Sequence, residues 1–275
     1  MVSGLGSKRS LLLSAAAAAA SLSLNALSPG RASASLAQFP ASELNIRYFL
    51  VRAGESVSEA EGITSTNPAF KTAMRNGLSP AGREQVKNES LQTLFSQRAC
   101  DDGCWLWTSI TNNSYQTAEL LATGLLLGRS RIVPEFSFLD SRGVGALEGF
   151  EQAKAQAQLS QGDALDPSGG RSEVGAHVLR VQGYDGTPNE SLVDVLVRVR
   201  QVMSVTETQY SQEDVLIITP DSLPLSVLQA AVLGVDLRQH SRYAFRAGEV
   251  RPLQLSSIPP TYAPFQMTCS SPPNC

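Results

Sequence analysis

Side chains able to act as nucleophile, proton carrier or metal ligand are sparse in this chain. Its 275 residues hold only two histidines, His177 and His240. A neutral imidazole can attack phosphorus or accept a proton at neutral pH, so their scarcity restricts such chemistry from the outset. Cys100-Asp101-Asp102-Gly103-Cys104 has half of a zinc ribbon's spacing, but Cys269 and Cys275 make a poor second half. Two local disulfides in an oxidising compartment are the favoured reading, with free thiols and a metal site as the alternatives. Asp101 and Asp102 read as a solvated turn. Gly143 and Gly145 fit a tight backbone beside a pocket better than a phosphate cradle. No cofactor or metal is implied.

The elements that must position these groups alternate between strand and helix. Ile46-Arg47-Tyr48-Phe49-Leu50-Val51 is a short β-branched and aromatic run that ends at Gly54 and predicts a first strand. Ser79 is a suitable N-cap with Pro80 at the first helical position, predicting a helix to about Phe95. Trp105 to Ser109 predicts a second strand in which Trp105 and Trp107 are core or half-buried. A helix through Gln116, Leu120 and Leu121 and a short strand at Ile132-Val133 follow. Residues 153–184, rich in Gln, Ala, Gly and Ser, are weakly patterned and predict a flexible insertion or lid.

Pro188-Asn189-Glu190 opens a helix whose apolar face carries Leu192, Val195, Leu196, Val199 and Val202. Val215-Leu216-Ile217-Ile218 is continuously apolar, as in a strand covered on both faces. A helix from about Leu223 to Leu233 ends at Gly234, and Tyr243-Ala244-Phe245 with Val250 to Leu255 predicts an antiparallel hairpin. The alternation implies an α/β domain with a mostly parallel sheet.

Hydrophobic residues make up 42% of the chain and charged residues 17%, enough for a sizeable core. A net charge of −3 lacks the basic stripe that nucleic acid requires. Residues 1–34 differ from the rest. Lys8 and Arg9 precede an apolar, Ala-rich stretch that closes on Ala32-Ser33-Ala34, a pattern expected of a cleavable export signal, an uncleaved anchor being the alternative. Cleavage after Ala34 removes three of the 22 basic residues and none of the 25 acidic ones, taking the net charge to −6. Residues 35–258 form the expected domain and 259–275 a loop-like tail.

Five motifs in order resemble the histidine phosphatase superfamily, also called phosphoglycerate mutase-like. The family's strand ends in Arg-His-Gly-Glu, and here the corresponding residues are Arg52-Ala53-Gly54-Glu55-Ser56. The same opening signature continues into a Leu-Thr/Ser-x-x-Gly-x-x-Gln helix start, which resembles Leu78 to Gln85. Its Ser-Pro-x-x-Arg-Ala-x-Gln-Thr-Ala segment is similar to Ser109 to Ala118, and its Leu-x-Glu-Arg-x-x-Gly segment to Leu139 to Gly149. Asn189-Glu190-Ser191, with Asp194 and Arg198, resembles the Gly-Glu-Ser-x-x-Asp helix, and the final His-Gly becomes Pro220-Asp221.

The resemblance implies a three-layer αβα sandwich and phosphomonoester hydrolase or mutase chemistry. That chemistry uses a histidine nucleophile, two arginines and a second histidine around the phosphoryl group, and an acid for the leaving oxygen. On this chain the nucleophile falls on Ala53, the second arginine on Asn113, the second histidine on Pro220 and the mutase general acid on Ser141, with Asp140 adjacent. Arg52 and Arg142 remain as candidate phosphate-binding groups, with Glu190 lining the pocket. A methyl group attacks nothing, and loss of one clamping donor alone costs about 10²–10³ in rate. His177 and His240 are expected away from both strand ends in structural or solvent-facing roles.

The pattern therefore implies a pseudoenzyme. It would be either a weak binder of a phosphorylated small molecule or a scaffold for an unknown protein partner. The alternative is a low-activity phosphatase rewired through a hydroxyl such as Ser56 or Ser109. The variant motif, with Asn67-Pro68 and the Cys-x-x-x-Cys-Trp segment, resembles plant and algal chloroplast members, which points to the chloroplast, in particular the thylakoid lumen, with export as the alternative.

Overall fold

A computed structural model describes residues 39–165, 167 and 182–257, so His177, Cys269, Cys275 and the proposed leader lie outside the described residues. Five strands form one sheet: β1 (Arg47–Arg52), β2 (Cys104–Ser109), β3 (Ile132–Glu135), β4 (Asp214–Thr219) and β5 (Val250–Pro252), in the order β3-β2-β4-β1-β5. β1 to β4 are parallel and only β5 runs antiparallel, against β1. The helices are α1 (Val57–Ala60), α2 (Pro80–Gln85), α3 (Leu91–Ser96), α4 (Asn112–Gly124), α5 (Gln152–Leu165), α6 (Leu192–Gln209) and α7 (Ser222–Val232). A π-helical turn over Val86–Ser90 joins α2 to α3, giving one helical segment that ends close to the expected Phe95.

The period-2 geometry of a strand splits its apolar residues between two cores. Tyr48, Leu50, Trp107, Val215 and Ile217 face α6 and α7, where they meet Val199, Met203, Leu225 and Leu228. Phe49, Val51, Leu106, Leu216 and Ile218 face the other way, onto Val86, Leu94, Ala118 and Leu121. The central strands are thus buried on both faces, and the expected αβα sandwich is the observed one. Trp107 lies in the core with its indole N–H 3.2 Å from the Tyr210 hydroxyl. Trp105 is half-buried, stacked on Tyr210 and capped by the Arg131 guanidinium.

Caps fix several element starts. The Ser79 hydroxyl accepts from Gly82 N–H at the head of α2, with Pro80 in the first turn, and Gly234 closes α7 at a φ of +71°. α6 begins after Ser191, whose capping box with Asp194 overrides the start expected at Pro188.

The first part of the weakly patterned 153–184 stretch lies in a helix, residues 152–165, because Ala, Gln, Lys and Leu are good helix formers and one face has something to bury: Ala155 and Asp163; residues 166 and 168–181 lie outside the described residues. One expectation fails. The hairpin after α7 is absent. Leu237–Tyr243 forms 3-10 turns, and β5 pairs with β1 through Val51 and Val250. Phe245 is buried in the core and covered by the Arg251 guanidinium, which removes it from any strand edge.

Cys100 and Cys104 are disulfide-bonded, their Cα atoms 4.9 Å apart. Gly103, at a φ of +91°, turns the short loop back, while Asp101 pairs with Arg98 at its exposed rim. A loop this small removes little chain entropy. Reduction should lower stability by about 2 kcal/mol. Alkylation without reductant should leave both thiols unlabelled in the folded protein; labelling of both would contradict the bond.

Candidate functional site

The carboxyl ends of β1 and β4 lie side by side, Arg52 opposite Thr219, and open α/β sheets place their sites there. A cavity of about 360 Å³ sits at this edge. Arg52, Asn113, Ser141, Arg142 and Pro220 all line it, so the four motifs that carry them converge as expected.

Ala53 stands at the tip of β1, fully buried, its N–H donating to Thr219 O and its carbonyl accepting from Gly248 N–H. The next turn is held by two glycines in backbone contact: a Cβ on Gly54 would lie 2.4 Å from Gly82 O, and one on Gly82 would lie 2.2 Å from Glu55 O. Asn113, in the first turn of α4, donates through Nδ2 to Gly54 O at 3.3 Å and Pro220 O at 3.0 Å, and its Oδ1 accepts from Ser114 N–H. Its amide is therefore used inside the protein, tying together the loops that follow β1 and β4.

Neither candidate arginine offers a free charge. Arg52 donates to Phe245 O at 2.8 Å and pairs with Glu59 at 2.5 Å. Glu59 is held in place by the capping box of α1, where Ser56 N–H donates to its other oxygen. Arg142 is almost fully buried in a bidentate pair with Asp163 of α5, at 2.5 and 2.8 Å, and its Nε donates to Glu190 O.

Other predicted site residues fall elsewhere. The Glu190 carboxylate does not line the cavity; it accepts from Arg198 and from Gly143 N–H, clamping α6 to the loop that carries Arg142. Gly143 and Gly145 are tight backbone, both bonded to residues 188–190. Ser109 is fully buried, donating to Asp140, which also pairs with Lys71 away from the cavity. Ser56 does reach the cavity, but its hydroxyl accepts from Glu59 N–H as the helix cap and bonds Ser58. No cluster of potential metal ligands occurs among the described residues.

One expectation is reversed. His240 lines the cavity, brought there by the 3-10 segment after α7. Its Nδ1 is 3.0 Å from the Ser226 hydroxyl, which also reaches Leu223 O at 3.0 Å. One hydroxyl proton cannot serve both contacts, so both are hydrogen bonds only when Nδ1 carries a proton and donates. The neutral ring then presents a bare Nε2. Burial pushes its pKa below the ordinary value, reinforced by the Arg142 charge and opposed by Asp163.

Reasoning from motifs missed Glu59, Asp163 and His240. Ser56-Val57-Ser58-Glu59 is a legible capping box, and Gln152, Ala155, Gln156, Leu159 and Asp163 follow a helical period. No local pattern points His240 at the site.

The sequence matches the histidine phosphatase superfamily (branch 1) over residues 48–260. The chain belongs to that superfamily. No curated protein matches it by sequence. Similar solved structures include the Bacillus stearothermophilus protein YhfR, at 17% identity and a TM-score of 0.55 over 77% of this chain and 92% of that one. A mycobacterial glucosyl-3-phosphoglycerate phosphatase in complex with VO3 is 17% identical, with a TM-score of 0.53 over 75% and 92%. An alpha-ribazole phosphatase from Shigella flexneri is 18% identical, with a TM-score of 0.52 over 77% and 92%. At these identities the likeness concerns the fold.

Removing one partner of a buried ion pair strands the other. Asp163→Ala should therefore lower stability by about 3–5 kcal/mol, whereas Arg142→Met with Asp163→Leu should lose much less. Chemical denaturation of both variants checks this; equal losses would show that the pair does not act as a unit.

Proposed function

We propose that this chain is a catalytically inactive member of the superfamily, a binding or scaffold module built on a phosphatase fold. The observation that carries the reading is the edge formed by Ala53, Asn113 and Pro220. No imidazole stands at the β1 tip, and the amide at the second arginine position is consumed by two carbonyls. Covalent phosphoryl transfer needs a nucleophile within bonding reach and cations around the developing charge. Ala53 cannot supply the first, and Glu59 and Asp163 neutralise the second. Ser56 and Ser109 do not replace the nucleophile, since one is a cap and the other is inaccessible.

Weak phosphate binding through Arg52 is a second reading, favoured by the place of Arg52 on the cavity wall. The carboxylate of Glu59 opposes it, because an added dianion would lie against a group of the same sign. The Cys100–Cys104 bond supports residence in an oxidising compartment, such as the thylakoid lumen or an exported setting.

Purified protein should show no phosphatase or mutase turnover above buffer, and Ala53→His should restore little because the cation positions stay unsuitable. Turnover by the wild type, abolished by a cavity substitution, would overturn the reading. In thermal melting, the wild type should show no phosphate-specific shift at matched ionic strength. Glu59→Gln keeps the capping box but frees the Arg52 charge. With phosphate tenfold above its dissociation constant, this variant should gain about 1.4 kcal/mol, roughly 2–4 °C. A phosphate-specific shift of that size in the wild type would favour the phospho-ligand reading instead.

A further inference from the structure

At the other end of the sheet from Ala53 and Pro220, the amino ends of the central strands meet at one carboxylate. Asp214 opens β4 and is the register partner of Arg47 in β1 and of Cys104 in β2. Strand alternation puts the side chains of Arg47, Asp214 and Cys104 on one face, the face of Phe49, Leu106 and Leu216. Arg47 donates to Asp214 through Nε at 2.7 Å and Nη2 at 2.6 Å, and the Cys100 N–H donates to the same carboxylate at 2.7 Å. Arg47 Nη2 also reaches Arg98 O at 3.0 Å. The loop from Arg98 to Cys104 is thus fastened to β1 and β4 by the Arg98 carbonyl and the Cys100 amide.

These contacts depend on how the loop is held. Cys100 has a φ of +66°, a left-handed conformation disfavoured in a residue with a Cβ. Its bond to Cys104, the first residue of β2, keeps it there. The bond itself is open to exchange. Its cysteines are four positions apart, so it adds little to the stability of the fold and, by linkage, is little protected by it. Cys100 is partly exposed and followed by the exposed Asp101 and Asp102, whereas Cys104 is fully buried, which directs attack to Cys100. Accessible disulfides that hold a disfavoured geometry are the labile ones.

We propose that Cys100–Cys104 is a dithiol-exchange site whose reduction releases this loop from Asp214. A thiolate of a dithiol reductant attacks Cys100 Sγ. The Cys104 sulfur leaves with the bonding pair and takes up a proton, since its apolar surroundings disfavour a thiolate. The reductant's second thiolate then attacks the mixed disulfide, closing the reductant's own disulfide and expelling the Cys100 thiolate, so the protein gains the two electrons that the dithiol loses. Cys100 leaves its left-handed conformation, its N–H withdraws from Asp214, and the carboxylate keeps Arg47. The loop supplies Arg98, Asp101, Asp102 and Gly103 to the wall of a groove of about 730 Å³ shared with Arg47 and Asp214, so redox state reshapes this surface. The proposal does not depend on whether the opposite edge turns over a substrate.

The test treats the full chain with dithiothreitol under native conditions and in urea, quenches by alkylation and maps the labels to Cys100 and Cys104. The native rate should rise in proportion to the dithiol and lie within about a hundredfold of the rate in the unfolded chain. A native rate that levels off with dithiol concentration, or falls below that range, would show that the bond opens only through unfolding and would overturn the proposal. Amide exchange followed by NMR then compares the two redox forms. Reduction should speed exchange at Cys100 and Gly103 by at least about tenfold and leave Phe49 and Leu216 protected. Unchanged exchange at Cys100, or loss of protection throughout the sheet, would also overturn it. Asp214→Ala should speed exchange at Cys100 with the bond intact, and no change there would refute the role of Asp214. Melting curves establish that this variant is folded; if it is not, the two redox forms of the wild type decide alone.

Discussion

Two parallel strands that end side by side leave backbone carbonyls and amides facing the same space, and whatever bridges them decides what that space can do. Here the bridge is the Asn113 amide, at 3.3 Å from Gly54 O and 3.0 Å from Pro220 O. A neutral amide at the head of α4 fixes the loops after β1 and β4 without bringing charge to the edge. Ala53 is sealed beneath it with no exposed surface. Glycines at 54 and 82 allow the backbone contact that fixes this turn, since a Cβ at either would overlap main-chain atoms. The main chain of this edge is hydrogen-bonded within the protein, through Ala53, Gly54 and Pro220.

The same principle governs the charges around the cavity. A guanidinium near the base of a cleft is stable only with a counter-charge or ready access to water. Arg52 and Arg142 each have an internal carboxylate, Glu59 from a capping box and Asp163 from α5. α5 has a structural task for this reason: its Asp163 satisfies Arg142 while the residues one and two turns earlier roof the cavity. His240 arrives from the segment after α7 as a neutral group whose orientation Ser226 sets. The result is a polar space whose two arginines are each paired with a carboxylate.

Much of the scaffold was legible because local chemistry and global fold agree. The continuous apolar run Val215 to Ile218 marked a strand covered on both faces, Ser79-Pro80 marked a helix start, and Gly234 a helix end. The order of motifs brought Arg52, Asn113, Ser141, Arg142 and Pro220 to one edge. What escaped was what depends on partners distant in sequence. Asp163 reads as an unremarkable acid in a Gln- and Ala-rich stretch until Arg142 faces it. Tyr243 to Leu255 has strand-forming residues on both sides of a turn, but β1 needed an edge partner and Phe245 a core, so Val250 paired with Val51 and the hairpin did not form. His240 lies well beyond Pro220-Asp221, the last strand motif, and only the path of the chain after α7 returns it to the site. Glu190 carried a family pattern, yet its position next to Arg198 and Gly143 made it a clamp between α6 and a loop.

We propose that no residue at this edge accepts a phosphoryl group. Intact-mass spectrometry at neutral pH, after incubation of the full chain with phosphomonoesters and with acetyl phosphate, tests it directly, because an N-linked phosphoryl group survives when the sample is kept from acid. An unmodified mass is expected in wild type and in a His240→Phe variant alike. A phosphoryl adduct that forms on the wild type and maps to His240 would contradict it, and would show that the histidine carried in from beyond α7 has taken over the nucleophile's task.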